Sequence, residues 1–210
     1  MAMKEIPVDI ITGMKGAGKT TLINALLEGV YRDSRVTVFT NEIGDVPYGE
    51  ACRVHPVLGG CICCTAQAEL IAGIRRVLQE EEPERIVIEM SGKGAIQDLL
   101  QIFAYLPSCA LHQLIYVLDI RKWRALAAVL GDFPQQIRSA PILLFSRWKE
   151  VSPELRTASA AQMRQWNPEI LLLTDPAQAG REASGEADPS GGEMPPRFRK
   201  IRRPSSGRRP

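Results

Sequence analysis

Gly13-Met14-Lys15-Gly16-Ala17-Gly18-Lys19-Thr20 decides the reading of this chain. It satisfies every fixed position of the phosphate-binding pattern G-x-x-x-x-G-K-[ST]. The flanks agree with it. Val8–Thr12 reads as a buried strand, and Lys19–Leu27 as a helix. A strand, a glycine turn and a helix N-terminus make an anion cradle, with backbone N–H groups converging on the phosphates. Gly13, Gly16, Ala17 and Gly18 are expected to wrap the phosphates, with Thr21 at the start of the helix. Lys19 is expected to reach the outer phosphates, and the Thr20 hydroxyl to hold Mg2+. The competing reading is an ordinary glycine-rich turn, which the Lys-Thr pair and both flanks disfavour.

Working outward, short apolar runs alternate with helical patterns. Strands are expected at Val36–Thr40, Arg85–Glu89, Leu114–Leu118, Ile142–Phe145 and Ile170–Leu173. They are rich in Val, Ile and Leu, as buried parallel strands are. Helices are expected at Ala66–Glu81, Gly94–Tyr105, Arg121–Leu130 and Pro153–Gln165. This alternation predicts an α/β fold of the P-loop NTPase kind, a mostly parallel sheet with helices on both faces. The stretch Asn41–Thr65 reads as one long loop, and a loop of that length inside a compact domain is usually functional or disordered.

With 210 residues and 45% hydrophobic content, the chain suits one domain, placed at 1–175. Six of its prolines and five of its glycines fall in 176–210, which reads as a flexible tail. That tail is basic. It holds seven Arg or Lys from Pro195 onward and no carboxylate there. Without those seven the body has 19 basic against 24 acidic residues. The tail reads either as a polyanion contact or as a solubilising terminus, and nucleic acid is the less expected partner because only Phe198 accompanies the charge. No apolar run approaches the ~18 residues that span a membrane, and no secretory leader is visible. The expectation is a cytoplasmic protein.

Arg85-Ile86-Val87-Ile88-Glu89-Met90-Ser91-Gly92 is an apolar strand ending in a carboxylate and a glycine. Glu89 is expected to bind Mg2+ opposite Thr20, and Gly92 to offer its N–H to the γ-phosphate. Thr40-Asn41-Glu42-Ile43-Gly44-Asp45 follows the second strand. Glu42 and Asp45 either bind a metal, position the attacking water, or line a solvated loop. Gly59-Gly60-Cys61-Ile62-Cys63-Cys64 supplies three thiols within four residues. Thiolates favour Zn2+ and other soft or borderline cations. Three adjacent thiols do not easily close a tetrahedron, so further ligands are expected from Glu42, Asp45, His55 or a second subunit. Cys109 and His112 read as structural.

These elements, in this order and at these separations, resemble the CobW-type family of P-loop GTPases, relatives of the UreG and HypB metal-insertion proteins. The resemblance covers roughly residues 6 to 175. It implies a metallochaperone or metal-responsive GTPase: GTP and Mg2+ at the loop, Zn2+, Co2+ or Ni2+ at Cys61, Cys63 and Cys64, and hydrolysis coupled to delivery of the metal to a client protein. The family also carries N-K-x-D after the strand matching Ile142–Phe145, whose Asp reads guanine. Here the match is Ser146-Arg147-Trp148-Lys149, with Lys149 in the place of the carboxylate. Ser146 and Arg147 remain candidates to touch the nucleotide, and either GTP or ATP fits. A cation cannot accept from the guanine N1–H and amine, so a non-hydrolytic binding module with altered base preference is the alternative. A further C-terminal domain common in the family has no counterpart in the tail.

Overall fold

The structure is a computed structural model and describes residues 5–41, 47–50, 52–57, 66–92 and 96–184. Its described strands form one parallel sheet in the order β3-β2-β4-β1-β5-β6-β7. These are β1 (Ile6–Gly13), β2 (Val36–Thr40), β3 (Cys52–Pro56), β4 (Arg85–Ser91), β5 (Cys109–Asp119), β6 (Ile142–Ser146) and β7 (Leu171–Leu173). The central strands are buried on both faces, which explains their unbroken apolar runs. Along β5, Leu114, Tyr116 and Leu118 face one core, while Ile115 and Val117 face the other.

The first core is covered by α2 (Gln67–Glu80), α3 (Ile96–Leu100), α5 (Phe133–Ser139) and α6 (Pro153–Trp166). The second lies under α1 (Lys19–Glu28) and α7 (Pro176–Ser184). Local chemistry sets the helix ends. Glu81 caps α2, and Glu82 then turns left-handed at φ 48° ahead of Pro83. Ser152 caps α6 by accepting from the Leu155 N–H at 3.3 Å, with Pro153 in the first turn.

Four expectations need correction. The stretch Asn41–Thr65 is not all loop, because Cys52–Pro56 pairs with β2 from Val36↔Cys52 to Thr40↔Pro56. It is an edge strand, half exposed, with Arg53, His55 and Pro56 in place of an apolar run. Residues 176–184, expected as part of a tail, form a helix. Asp175 accepts from the Ala177 N–H at 2.9 Å and starts α7, whose Ala179 and Ala183 are buried against α1. The span predicted as helix Gly94–Tyr105 is a short α-helix followed by a 3-10 turn, Gln101–Tyr105. Between β5 and β6 the chain makes two helices, α4 (Trp123–Val129) and α5. Only one helix is expected there from sequence, Arg121–Leu130; α5 begins with Pro134 in its first turn, where a proline costs nothing.

The switch from strand to helix at the C-terminal ends of β1, β4, β5 and β6 gathers Gly13, Glu89, Asp119 and Ser146 along one edge of the sheet. That edge is where ligands bind in open parallel sheets.

Candidate nucleotide and metal site

Gly13 ends β1 at φ 143°, and a Cβ there would stand 2.2 Å from the Val117 carbonyl oxygen. Only glycine fits. The loop then closes on itself through the Ala17 N–H, which donates to Met14 O at 3.0 Å. Gly18, at φ 103°, caps α1. Gly16 and Lys15 are exposed and Ala17 is buried, while Thr21 is exposed in the first turn of α1.

Lys19 is buried beneath the loop. Its Nζ donates to Gly13 O at 2.9 Å and lies 3.9 Å from Glu89 Oε1. The Thr20 hydroxyl is 3.4 Å from Glu89 Oε1 and 3.5 Å from Oε2. Loop lysine, threonine and strand-end carboxylate thus stand together, although 69 residues separate the last two. A hydroxyl and a carboxylate are the hard oxygen donors that Mg2+ takes, so this pair fits such an ion. Gly92 differs from expectation. Its N–H donates to Gly13 O at 2.9 Å, and a Cβ on it would meet the Gly13 carbonyl carbon at 2.7 Å. It braces the loop against β4, so its N–H is committed to protein backbone.

Sequence reasoning passed over Tyr48. Its hydroxyl donates to Glu89 Oε2. Burial, then the bond to Glu89, pushes this phenol far up. The segment carrying Tyr48 is fastened to α1 by Asn24, which donates to Pro47 O at 2.9 Å and accepts from the Gly49 N–H at 3.1 Å. No motif signals either residue.

On the other side of the loop, Ser146 ends β6, with its Cβ 3.5 Å from where a Gly18 Cβ would lie. Ser146 Oγ and Thr12 Oγ1 are buried without a hydrogen-bond partner. Arg147 follows in the left-handed region at φ 56°. Its Nη1 reaches Gly16 O at 3.3 Å and Asp119 Oδ2 at 3.3 Å. Asp119 also accepts from Arg121 Nε and Nη2, each at 3.0 Å. Burial alone would raise this carboxyl, but the Arg121 hydrogen bonds and the Arg147 charge outweigh it and hold it below its usual range. Asp119 was also missed, yet its signal is the one that exposed Glu89: a carboxylate at the tip of an apolar strand.

Glu42, Asp45, Cys61, Cys63 and Cys64 lie outside the described residues. Among the described residues no cluster of three metal-ligating side chains occurs. His55, expected as an extra ligand, bonds Glu81 at 2.9 Å and stacks on Phe39. Burial pushes the Cys52 thiol up, and its Sγ donates to Gly49 O. Cys109 is buried in the core and pushed up to about 11. His112 meets Asp9 at 2.8 Å, in a cluster with Arg85, at the start of β4, and with Tyr31, from the turn after α1. Both are structural, as the sequence implied.

The family model described as CobW/HypB/UreG, nucleotide-binding domain, matches residues 7–173. The chain belongs to the CobW/HypB/UreG family. Among curated relatives, a zinc chaperone named YeiR from Escherichia coli (strain K12) is 30% identical over 168 residues, 75% of this chain and 50% of that one. A zinc chaperone named CobW from Sinorhizobium sp is 36% identical over 112 residues, 47% of this chain and 31% of that one. The chain therefore spans half or less of the length of these two relatives. The Zn(II)-bound YjiA GTPase from E. coli superposes with a TM-score of 0.63 at 18% identity, covering 91% of this chain and 62% of that one. That likeness bears on the fold. Membership of the CobW/HypB/UreG family agrees with the resemblance and with the P-loop architecture read from sequence. No helix among the described residues is long and apolar enough to cross a membrane.

Proposed function

We propose that this CobW-type protein binds a nucleoside triphosphate at Gly13–Thr20, hydrolyses it slowly, and couples its nucleotide state to the holding and delivery of a transition metal. The observation that carries this reading is the meeting of Lys19, Thr20 and Glu89, with Tyr48 joining Glu89 to the segment that leads toward the thiols. The relatives are described as zinc chaperones, so Zn2+ is the first cargo to test, with Co2+ and Ni2+ next.

Each residue has a chemical task. The loop N–H groups and Lys19 neutralise charge building on the phosphate oxygens as water attacks the γ-phosphorus and the diphosphate leaves. Thr20 and Glu89 would hold Mg2+, which screens the β- and γ-oxygens when bound. Glu42 or Asp45 would orient the water or ligate the cargo, with Cys61, Cys63 and Cys64 as soft donors. Among the described residues none is identified as an arginine finger, and intrinsic turnover is expected to be slow. The γ-phosphate orders one arrangement of the 41–65 segment, and its loss releases that arrangement. A metal-receiving client protein, a homodimer that completes the thiol site, and a cytoplasmic setting complete the proposal.

A second reading, a nucleotide- or metal-binding module without turnover, is favoured by the altered segment Ser146–Lys149. Hydrolysis of GTP and ATP with Mg2+, with and without Zn2+, separates the two. Turnover that disappears in Lys19→Ala supports the enzyme. Tight binding without turnover under any metal supports the module.

A further inference from the structure

Guanine is distinguished from other bases by a carboxylate that accepts from both N1–H and the exocyclic amine. The ends of β5 and β6 form a wall beside the phosphate loop, where such an acceptor is sought. Ser146 lies against Gly18 there, and Arg147 reaches Gly16. Among the described residues, the ends of β5 and β6 carry Asp119 and, just beyond, Glu150. Asp119 is 2% exposed and is held by Arg121 and Arg147. Glu150 is paired with Arg121 Nη1 at 2.9 Å. Lys149 is exposed between them in the chain. Trp148 is not a stacking platform, because it packs on Phe145 in the core opposite α1, beneath Arg156. Facing solvent beside the loop are the partly exposed guanidinium of Arg147 and, next to it, the exposed Arg121–Glu150 pair. A guanidinium plane stacks on any base and reads none of their edges.

We propose that this site takes nucleoside triphosphates without selecting the base, holding them by the phosphates and by the face of Arg147. The inference rests on the phosphate-loop reading above and extends it to substrate class. GTP and ATP are then both substrates, and selection falls on the polyphosphate.

Displacement of a fluorescent GDP analogue from the full chain, with Mg2+ present, tests this directly. GDP, ADP and inorganic triphosphate are the competitors. GDP and ADP are expected to compete within about tenfold of each other, whereas a site built to hydrogen-bond one base discriminates by about 10⁴-fold. Arg147→Ala is expected to weaken GDP and ADP alike. A wild-type preference for GDP above about a hundredfold overturns the proposal. So does a Glu150→Gln variant that loses GDP and keeps ADP, since Glu150 would then be the reader. A probe affinity left unchanged by Lys19→Ala contradicts the phosphate-loop reading itself, a result distinct from all of these.

Discussion

At the scale of single residues, three side chains carry most of the account. Lys19 is buried and bonded to the loop it serves, so its charge is already aimed at the cradle. A hydrogen bond to a charged group is worth about 1.5–3 kcal/mol, so Lys19→Ala should weaken nucleotide binding by roughly 10- to 100-fold. Titration with a fluorescent nucleotide checks this. Tyr48 holds one Glu89 oxygen that Mg2+ would otherwise take. Tyr48→Phe should therefore lower the Mg2+ concentration that half-saturates nucleotide binding by several-fold, and an unchanged value contradicts the contact. Asp119 gives a pH signature. Its carboxyl is held below its usual value in the folded chain, so its contribution to stability is complete above about pH 4 and is lost as pH falls through the lowered value. Asp119→Asn should lower stability at neutral pH and flatten the acid limb. Urea unfolding between neutral pH and pH 3 would reveal either outcome.

Elements differ in how legible they were, and for physical reasons. The β1–loop–α1 unit was clear because glycines, lysine and both apolar flanks act within one short span. Strand β3 was hidden because an edge strand with one partner needs little apolar content. Helix α5 was passed over because it is only seven residues long and carries Pro134 in its first turn. Helix α7 was mistaken for tail because its buried face is made of alanines, which bury little apolar area each and leave a weak pattern. That face nevertheless lies on α1, close to Leu26 and Val30. Ending the chain at Asp175 should uncover the back of α1 and lower the thermal midpoint by several degrees, read by calorimetry. An unchanged midpoint would show that α7 adds nothing to the fold. In the site itself, Gly13, Lys19, Thr20 and Glu89 were legible from local pattern, whereas Asn24 and Tyr48 were not. Their partners are 23 and 41 residues away, and no short-range spacing records that contact.

On the scale of the whole molecule, the sheet carries the phosphate loop, the Thr20–Glu89 pair and Asp119 with Ser146 along one edge. The chain between β2 and α2 runs from that edge to the cysteines. Asn24 ties this chain to α1, and Tyr48 ties it to Glu89. On the proposed function, a change at the γ-phosphate would travel toward the thiols by rearrangement of this segment. Coupling of this kind is reciprocal and typically amounts to about 5- to 150-fold in affinity. The central claim is most directly tested by Zn2+ affinity, measured by competition against a chromophoric chelator with and without a saturating non-hydrolysable GTP analogue. The account predicts affinities that differ between the two states by about fivefold or more, with the difference abolished in Cys63→Ser. Equal Zn2+ affinity in both states, or a Cys63→Ser variant that binds as the wild type does, would contradict it.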